Sequence, residues 1–500
     1  MIELALPEGW VEASFDDALE NISNGVGGKQ SQDGVGIPVS RIETIANESF
    51  DFNRIGFIEE PDKKDVSKYL LNVGDILFSH INSAKHLGKT AVFKNGELYH
   101  GINLLRLEVD KRITTPKYFN YYCNYLRSNG YFSLNAKHAV NQASINQKAL
   151  KVAPITFPSL NEQKEIVRLL STNITIVSQI ETRLDAIPKL IEKFRQSVLN
   201  DAVSGKLTEE WRSKHIQKDI FKFVEEIFSD RDHLVKSKKL KPKFLKKSEV
   251  NSLYEIPDTW GFYGLEDICS NDNYALKAGP FGSALKKSDC ASSGHKVYGQ
   301  EQVISQNENL ETYFVSDKKF DELKNCATGP KDILISLVGT IGKVLILSEK
   351  AEIGIINPRL VKISLNESIS REYIKTYLDS SLSKDFFKTF SHGGTMDILN
   401  LGILKKLPIP LPPIEEQHEI VKQVEQLLHY ADQIEKSVAT AKARVDHLTQ
   451  SILHQAFTGN LTAEWREQNP ELISGENSAE ALLAKIKAEK QVSGKKVKKA

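Results

Sequence analysis

The sequence predicts an α+β chain: two mixed α/β domains separated by two long helices that pair antiparallel as a coiled coil, with a pseudo-twofold internal repeat. Three observations carry this. Residues 150–167, LKVAPITFPSLNEQKEIV, align without gaps on 404–421, LKKLPIPLPPIEEQHEIV, with ten of eighteen positions identical. Residues 197–212, ending SGKLTEEWR, align on 451–466, ending TGNLTAEWR, with nine of sixteen identical and the same offset of 254. Between the two blocks, both copies carry an apolar heptad seam of equal length.

The seam of the first copy runs through Ile166, Leu170, Val177, Ile180, Leu184, Ile187, Ile191, Phe194 and Val198, with Asn173 its only polar member. Its counterpart runs through Ile420, Val424, Leu427, Ala431, Ile434, Val438, Ala441, Val445, Leu448 and Ile452 in the same phase. A helix of that length spans roughly 55 Å and needs a partner helix, which the other copy supplies. Pro and acidic residues mark the helix starts, Gly205 and Gly459 mark the ends, and Pro188 is expected to kink the first helix near Asp185.

In chain order the expected organisation is a first variable domain over 1–158, a spacer helix over 159–212, a basic linker over 213–252, a second variable domain over 253–411, a second spacer helix over 412–466 and a polar tail over 467–500. Short β-like runs (DILFS, TAVF and LLRLEV; DILISLVG, KVLIL and RLVKISL) interleave with helical patches such as YFNYYCNYLRS and REYIKTYLDSS in the variable domains. LPEGW at Leu6 is echoed by IPDTW at Ile256, and GDILFS at Gly74 by KDILIS at Lys331, at offsets of 250 and 257. The upstream domains have drifted while the spacers have not. The linker, with KSKKLKPKFLKK, is expected to repel itself and be extended or mobile, and the tail to be a polar, partly helical extension that frays.

With 66 basic and 65 acidic residues the net charge is +1, so any nucleic-acid surface has to arise from local clustering. Cys123, Cys269, Cys290 and Cys326 form no CxxC pair, which argues against zinc and disulfides and for a reduced, cytoplasmic setting. No leader or membrane-spanning run is read. Enzyme signatures fail in turn. HLGKT lacks the earlier glycine of a phosphate-binding loop, NGVGGKQ lacks the dinucleotide order, INPRL is not an amino-methyltransferase motif, and no HExxH or GxSxG occurs. No catalytic residue and no metal ligand set is assigned.

The duplicated order of variable domain and long helix, with PLPPIEEQHEIV, SGKLTEEWR, LPEGW, IPDTW, KDILISLVGTIGKV and GGTMDILNLGILKKLPIPLPP, resembles the specificity subunit of type I restriction-modification systems over nearly the whole chain. The resemblance implies that each variable domain is a target recognition domain for one half of a split double-stranded DNA site, with the helices as spacer. It also implies two modification subunits carrying S-adenosylmethionine chemistry at adenine N6, and two restriction subunits using ATP and Mg2+. No cofactor is then bound by this chain, no membrane is involved, and catalysis lies elsewhere in a host-defence complex. The competing readings are a self-contained DNA methyltransferase or nuclease with unrecognised motifs, and a coiled-coil scaffold unrelated to DNA.

Base and phosphate contact needs donors on loops. In the first domain the candidates are Lys29, Gln30, Ser31, His80, Asn82, Lys85 and Lys89; in the second they are Lys277, Ser283, Lys286, Lys287, Thr340, Lys343 and Arg359. For each, the alternative is a solvated or loop-shaping side chain. Gly279, Gly282, Gly339 and Gly342 read as turn formers, and the segment from Lys236 to Lys247 either as a phosphate binder or as a charged tether. SGKLTEEWR and TGNLTAEWR are expected either to cap their own helices or to dock partners.

Overall fold

The structure, a computed structural model, describes residues 6–59, 66–83, 86–139, 142–215, 220–391 and 399–497, with no side-chain description at 390, 391 and 490–497. It divides into two units, Met1–Asp185 with Ala439–Ala500, and Ala186–Val438. Each unit contains one variable domain, the start of one long helix and the end of the other.

The first unit is built on an antiparallel sheet in the order Leu19–Asn24, Leu105–Val109, Ile76–Phe78, Thr90–Val92. In the second, Leu276–Ala278, Leu360–Ile363, Ile333–Ser336 and Val344–Ile346 repeat that order. GDILFS and KDILIS supply the equivalent inner strand, buried at every position, as an uninterrupted apolar run demands. A two-stranded ribbon closes each domain, Val11–Ser14 on Pro154–Phe157 and Gly261–Gly264 on Pro408–Leu411, so the chain enters and leaves at the head of its long helix.

A helix packs on each sheet. Thr115 caps Pro116–Ser128, which buries Tyr118, Phe119, Tyr122 and Cys123. Ser370 caps Arg371–Asp379, which buries Tyr373, Ile374 and Tyr377. Three tyrosine hydroxyls find carbonyls within these cores: Tyr118 donates to Thr156 O (2.7 Å), Tyr373 to Pro410 O (2.5 Å) and Tyr377 to Pro408 O (2.6 Å).

The long helices are Leu160–Val203 and Ile414–Phe457, each of 44 residues, and the first runs unbroken through Pro188, where a kink was expected. Within each unit they lie antiparallel. In the first, Ile166 and Leu170 share a core with Leu453, Ala456 and Phe457, and Asp185 pairs with Lys442 at 2.5 Å. In the second, Val198, Leu199 and Ala202 share a core with Ile420 and Val424, and Arg195 reaches Asp432 and Glu435. Val177, Ile191, Ala431, Val438 and Val445 are buried as the heptad reading requires, and Leu184, Ile187, Leu427, Ala441 and Ile452 are half-buried. Ile180, Phe194, Ile434 and Leu448 are exposed, because a pair of helices covers one stripe on each partner and leaves its flanks open.

Two expectations are corrected. The basic linker is not an extended tether: Ile220–Lys236 is a helix burying Ile220, Val224 and Ile227, and Leu240 and Phe244 are buried beyond it. Its apolar residues follow helical spacing, and Arg231, 1% exposed, donates to Asn271 Oδ1 and to the carbonyls of Glu266 and Cys269. The tail is helical over Ala479–Val497, in keeping with the partly helical reading, but it is docked rather than frayed, with Ala479, Leu483 and Ile486 in the core of the first unit. Each unit therefore carries an amphipathic helix docked on its own core.

Candidate nucleic-acid interface

The shared phrases meet in a buried polar knot, once in each unit. In the first, Glu162 is 1% exposed and its Oε1 accepts from Thr462 Oγ1 (2.7 Å) and Arg466 Nη1 (2.6 Å), while Oε2 accepts from Trp10 Nε1 (3.1 Å). Arg466 also donates to Gly459 O (2.7 Å). In the second, Glu416 is fully buried and accepts from Thr208 Oγ1 (2.7 Å), Arg212 Nη1 (2.6 Å) and Trp260 Nε1 (2.8 Å), with Arg212 donating to Gly205 O (2.9 Å). A buried carboxylate is tolerable only with such complete pairing. The acid comes from the helix head, the arginine and threonine from SGKLTEEWR or TGNLTAEWR, and the tryptophan from IPDTW or LPEGW. The repeated phrases are thus locks that fasten the end of one long helix to the head of the other.

The loops of the candidate surface grow from this frame. Gly25 and Gly279 open them where the edge strand turns away, since a Cβ would lie 2.3 Å from Gly101 C in one and 1.9 Å from Asn357 O in the other. Lys29 is exposed on the first loop. The Gln30 side chain fits against the bare α-carbons of Gly56 and Gly101, and Ser31 bridges Phe57 through both backbone bonds, so these two shape the loop. Ser31 also donates to Asp33, and with the Val35 N–H holds that carboxyl below the usual range. His80 is half-buried with Nδ1 lacking a partner, and burial pushes its pKa down. Asn82 stands on a short strand opposite Ala143 and donates to Ser79 Oγ (3.2 Å). Lys89 is spent on Ala46 O. Lys85 lies outside the described residues.

The second domain gathers its candidates more tightly. Gly279 touches Asn357, the Arg359 carbonyl accepts from Leu337 N (2.9 Å), and Gln300 Nε2 donates to Val338 O, so four loops meet at one end of the sheet. Ser283, Lys286, Lys287, Thr340, Lys343 and Arg359 are all exposed, whereas Lys277 is half-buried on a strand opposite Lys362. TIGKV and HLGKT are the same turn: Ser336 N donates to Lys343 O (3.0 Å) and Gly342 N to Ser336 O (2.9 Å), as Ser79 N does to Lys89 O (2.8 Å) and Gly88 N to Ser79 O (2.9 Å). Sequence reading missed Lys384 and Lys388 on the helix Ser381–Ser391. Burial lowers the Lys384 pKa, Asp379 opposes that shift, and Lys343, Lys375 and Lys388 add to it, so the lysines beside the turn sit among the carboxylates of Asp379 and Asp385. Their four-residue spacing in SKDFFK was the available signal.

Among the described residues no helix is long and apolar enough to cross a membrane, and no group of three or more His, Cys, Asp or Glu is placed to hold a metal ion.

A family model described as the type I restriction modification DNA specificity domain matches the chain twice, over residues 7–189 and 257–441. The specificity subunit of the type I restriction enzyme EcoBI from Escherichia coli is 32% identical over 508 residues, covering 99% of this chain and 95% of that protein. The EcoKI specificity subunit of Escherichia coli is 32% identical over 98% of this chain and 97% of its own length, and the putative MjaX specificity subunit of Methanocaldococcus jannaschii is 29% identical over 91% and 94%. Two solved structures share the fold at 14% identity. One is from work on complex assembly and conformational transition of the type I R-M system (TM-score 0.53, covering 90% of this chain and 98% of that one), and the other is the HsdS subunit of Thermoanaerobacter tengcongensis (TM-score 0.50, 91% and 98%). With both copies of the repeat matched and the relatives aligned end to end, the chain belongs to the family of type I restriction-modification specificity subunits, the non-catalytic members of those complexes.

Proposed function

We propose that this chain reads a bipartite site in double-stranded DNA, one half through each unit, and assembles two modification and two restriction subunits around its helices. The carrying observation is a contrast: the order of the four-stranded sheet and the Glu–Arg–Thr–Trp lock are the same in the two units, while most of the loop residues they hold up differ. A conserved frame with divergent donors suits two unlike half-sites. The exposed apolar residues of the helices also recur at the repeat offset: Ile176, Ile180 and Phe194 correspond to Tyr430, Ile434 and Leu448. Two equivalent apolar patches suit two copies of one partner. In this reading S-adenosylmethionine sits on the modification subunits, and ATP and Mg2+ on the restriction subunits.

The test is a footprint of the full chain bound to its cognate modification subunit. The reading expects two protected tracts separated by an unprotected or sequence-indifferent gap, and affinity that falls steeply with salt as phosphate contacts are screened. A single contiguous footprint, or binding indifferent to salt, contradicts it.

A further inference from the structure

A cleft of about 440 Å3 lies in the first unit beside the Gln30–Ser31 loop, and none of the residues chosen from sequence lines it. Its walls carry Gln32, Arg41, Glu43, Phe52, Asn53 and Arg54. Resting on the reading above, we infer that this cleft takes base edges of the first half-site, with Arg41, Asn53 and Arg54 as specificity-determining residues.

Two features favour base edges over phosphate. The first is charge balance: Arg41 lies 3.3 Å from Glu43 and Arg54 lies 3.3 Å from Asp51, so a phosphate would meet a carboxylate beside each guanidinium. Base edges present donors as well as acceptors, and this cleft offers both: guanidinium forks for guanine O6 and N7, amides of Gln32 and Asn53 for adenine N6 and N7, Glu43 for cytosine N4, and the Phe52 ring for a thymine methyl. The second is preorganisation. Thr44 is fully buried; its Oγ1 accepts from Arg41 N (2.8 Å) and donates to Arg54 O (2.7 Å), and its carbonyl accepts from Asp51 N (2.9 Å). Asp51 in turn accepts from Asn53 N (3.0 Å). One buried threonine therefore fixes the backbones that carry all three residues, while the arginine heads stay open to solvent, with side chains 25% and 53% exposed.

The experiment uses the full chain in complex with its modification subunit. Once the wild-type target is mapped, binding is measured to a set of duplexes that carry each single-base change in both half-sites. Arg41→Ala, Asn53→Ala and Arg54→Ala are expected to lower discrimination at one or two positions of the first half-site by roughly tenfold to a hundredfold each. Discrimination throughout the second half-site is expected to stay as in wild type. Arg54→Lys, which keeps the charge and loses the fork, is expected to behave like Arg54→Ala. If any variant fails to assemble, Arg54→Gln and Arg41→Gln give the same readout at these solvent-reaching positions. Unchanged discrimination overturns the inference, and so does a uniform loss across all duplexes that Arg54→Lys restores, because that is the pattern of a phosphate contact. A wild-type complex with no bipartite target would instead overturn the reading on which the inference rests.

Discussion

At the scale of the residue, the two locks concentrate the energetics. Glu162 and Glu416 are the least exposed acids tied to long-range partners, and each holds an arginine whose side chain is only 14% or 16% exposed. Glu416→Gln is expected to destabilise the second unit by about 3 to 5 kcal/mol, because it leaves Arg212 half-paired in a poor dielectric. Glu162→Gln is expected to do the same to the first unit, and hydrogen exchange resolved by peptide distinguishes the two. A second expectation concerns His100. It is fully buried, donates through Nε2–H to Leu104 O (2.8 Å), and burial pushes its pKa down from 6.5 to about 4. A depressed histidine pKa means that the unfolded chain takes the proton first. The contribution is intact above pH 6.5 and is lost as pH falls toward 4, up to about 3 kcal/mol. Burial lowers His80 in the same direction. His100→Asn, which keeps a side-chain N–H donor but cannot titrate, is expected to flatten that acid slope in urea titrations. An unchanged slope would assign acid sensitivity elsewhere.

At the scale of the element, the glycines at the helix ends are tested by alanine. Gly205 has φ +82° and a Cβ there would lie 2.5 Å from Pro257; Gly459 has φ +79° with Pro7 at 2.3 Å. Gly34 has φ +80° with open space around it. Gly34→Ala is expected to cost about 1 to 2 kcal/mol from backbone strain alone, and the other two more, since the lock must shift as well. Equal losses at all three would show that the proline contact is slack. Removing residues 479–500 is expected to expose the Leu483 and Ile486 sites, cost the first unit about 2 kcal/mol for each, and leave the second unit's melting unaltered. The elements themselves were legible because they repeat: the heptads, the Pro-acid helix starts, the terminal glycines and the DILFS and DILIS strands all carry local periodicity. The helix at 220–236, and the docking of the partly helical tail at 479–497, were not, because charge density in the flanking lysines outweighed apolar spacing of three and four residues. The site was less legible still. Lys89 and Gln30 look like free donors in sequence, and only the fold shows them bonded to Ala46 O or wedged against glycines. Arg41 and Arg54 are thirteen positions apart and become neighbours only through Thr44.

At the scale of the molecule, the proposed function makes the length of the long helices the measure of the gap between half-sites. Seven residues inserted after both Ala186 and Thr440 keep the heptads in phase and add roughly 10 Å, about three base pairs of gap. The same insertion after Ala186 alone breaks the antiparallel register, and sequence-specific binding should be lost. The account as a whole stands on the claim that one chain with two unlike loop sets selects one split sequence. Its most direct test is long-read mapping of methylated adenines in cells that express this chain with its cognate modification subunit. The account predicts one motif with two specified halves and a gap of fixed length between them. A contiguous motif, or methylation of adenines without a fixed partner half-site, would contradict it.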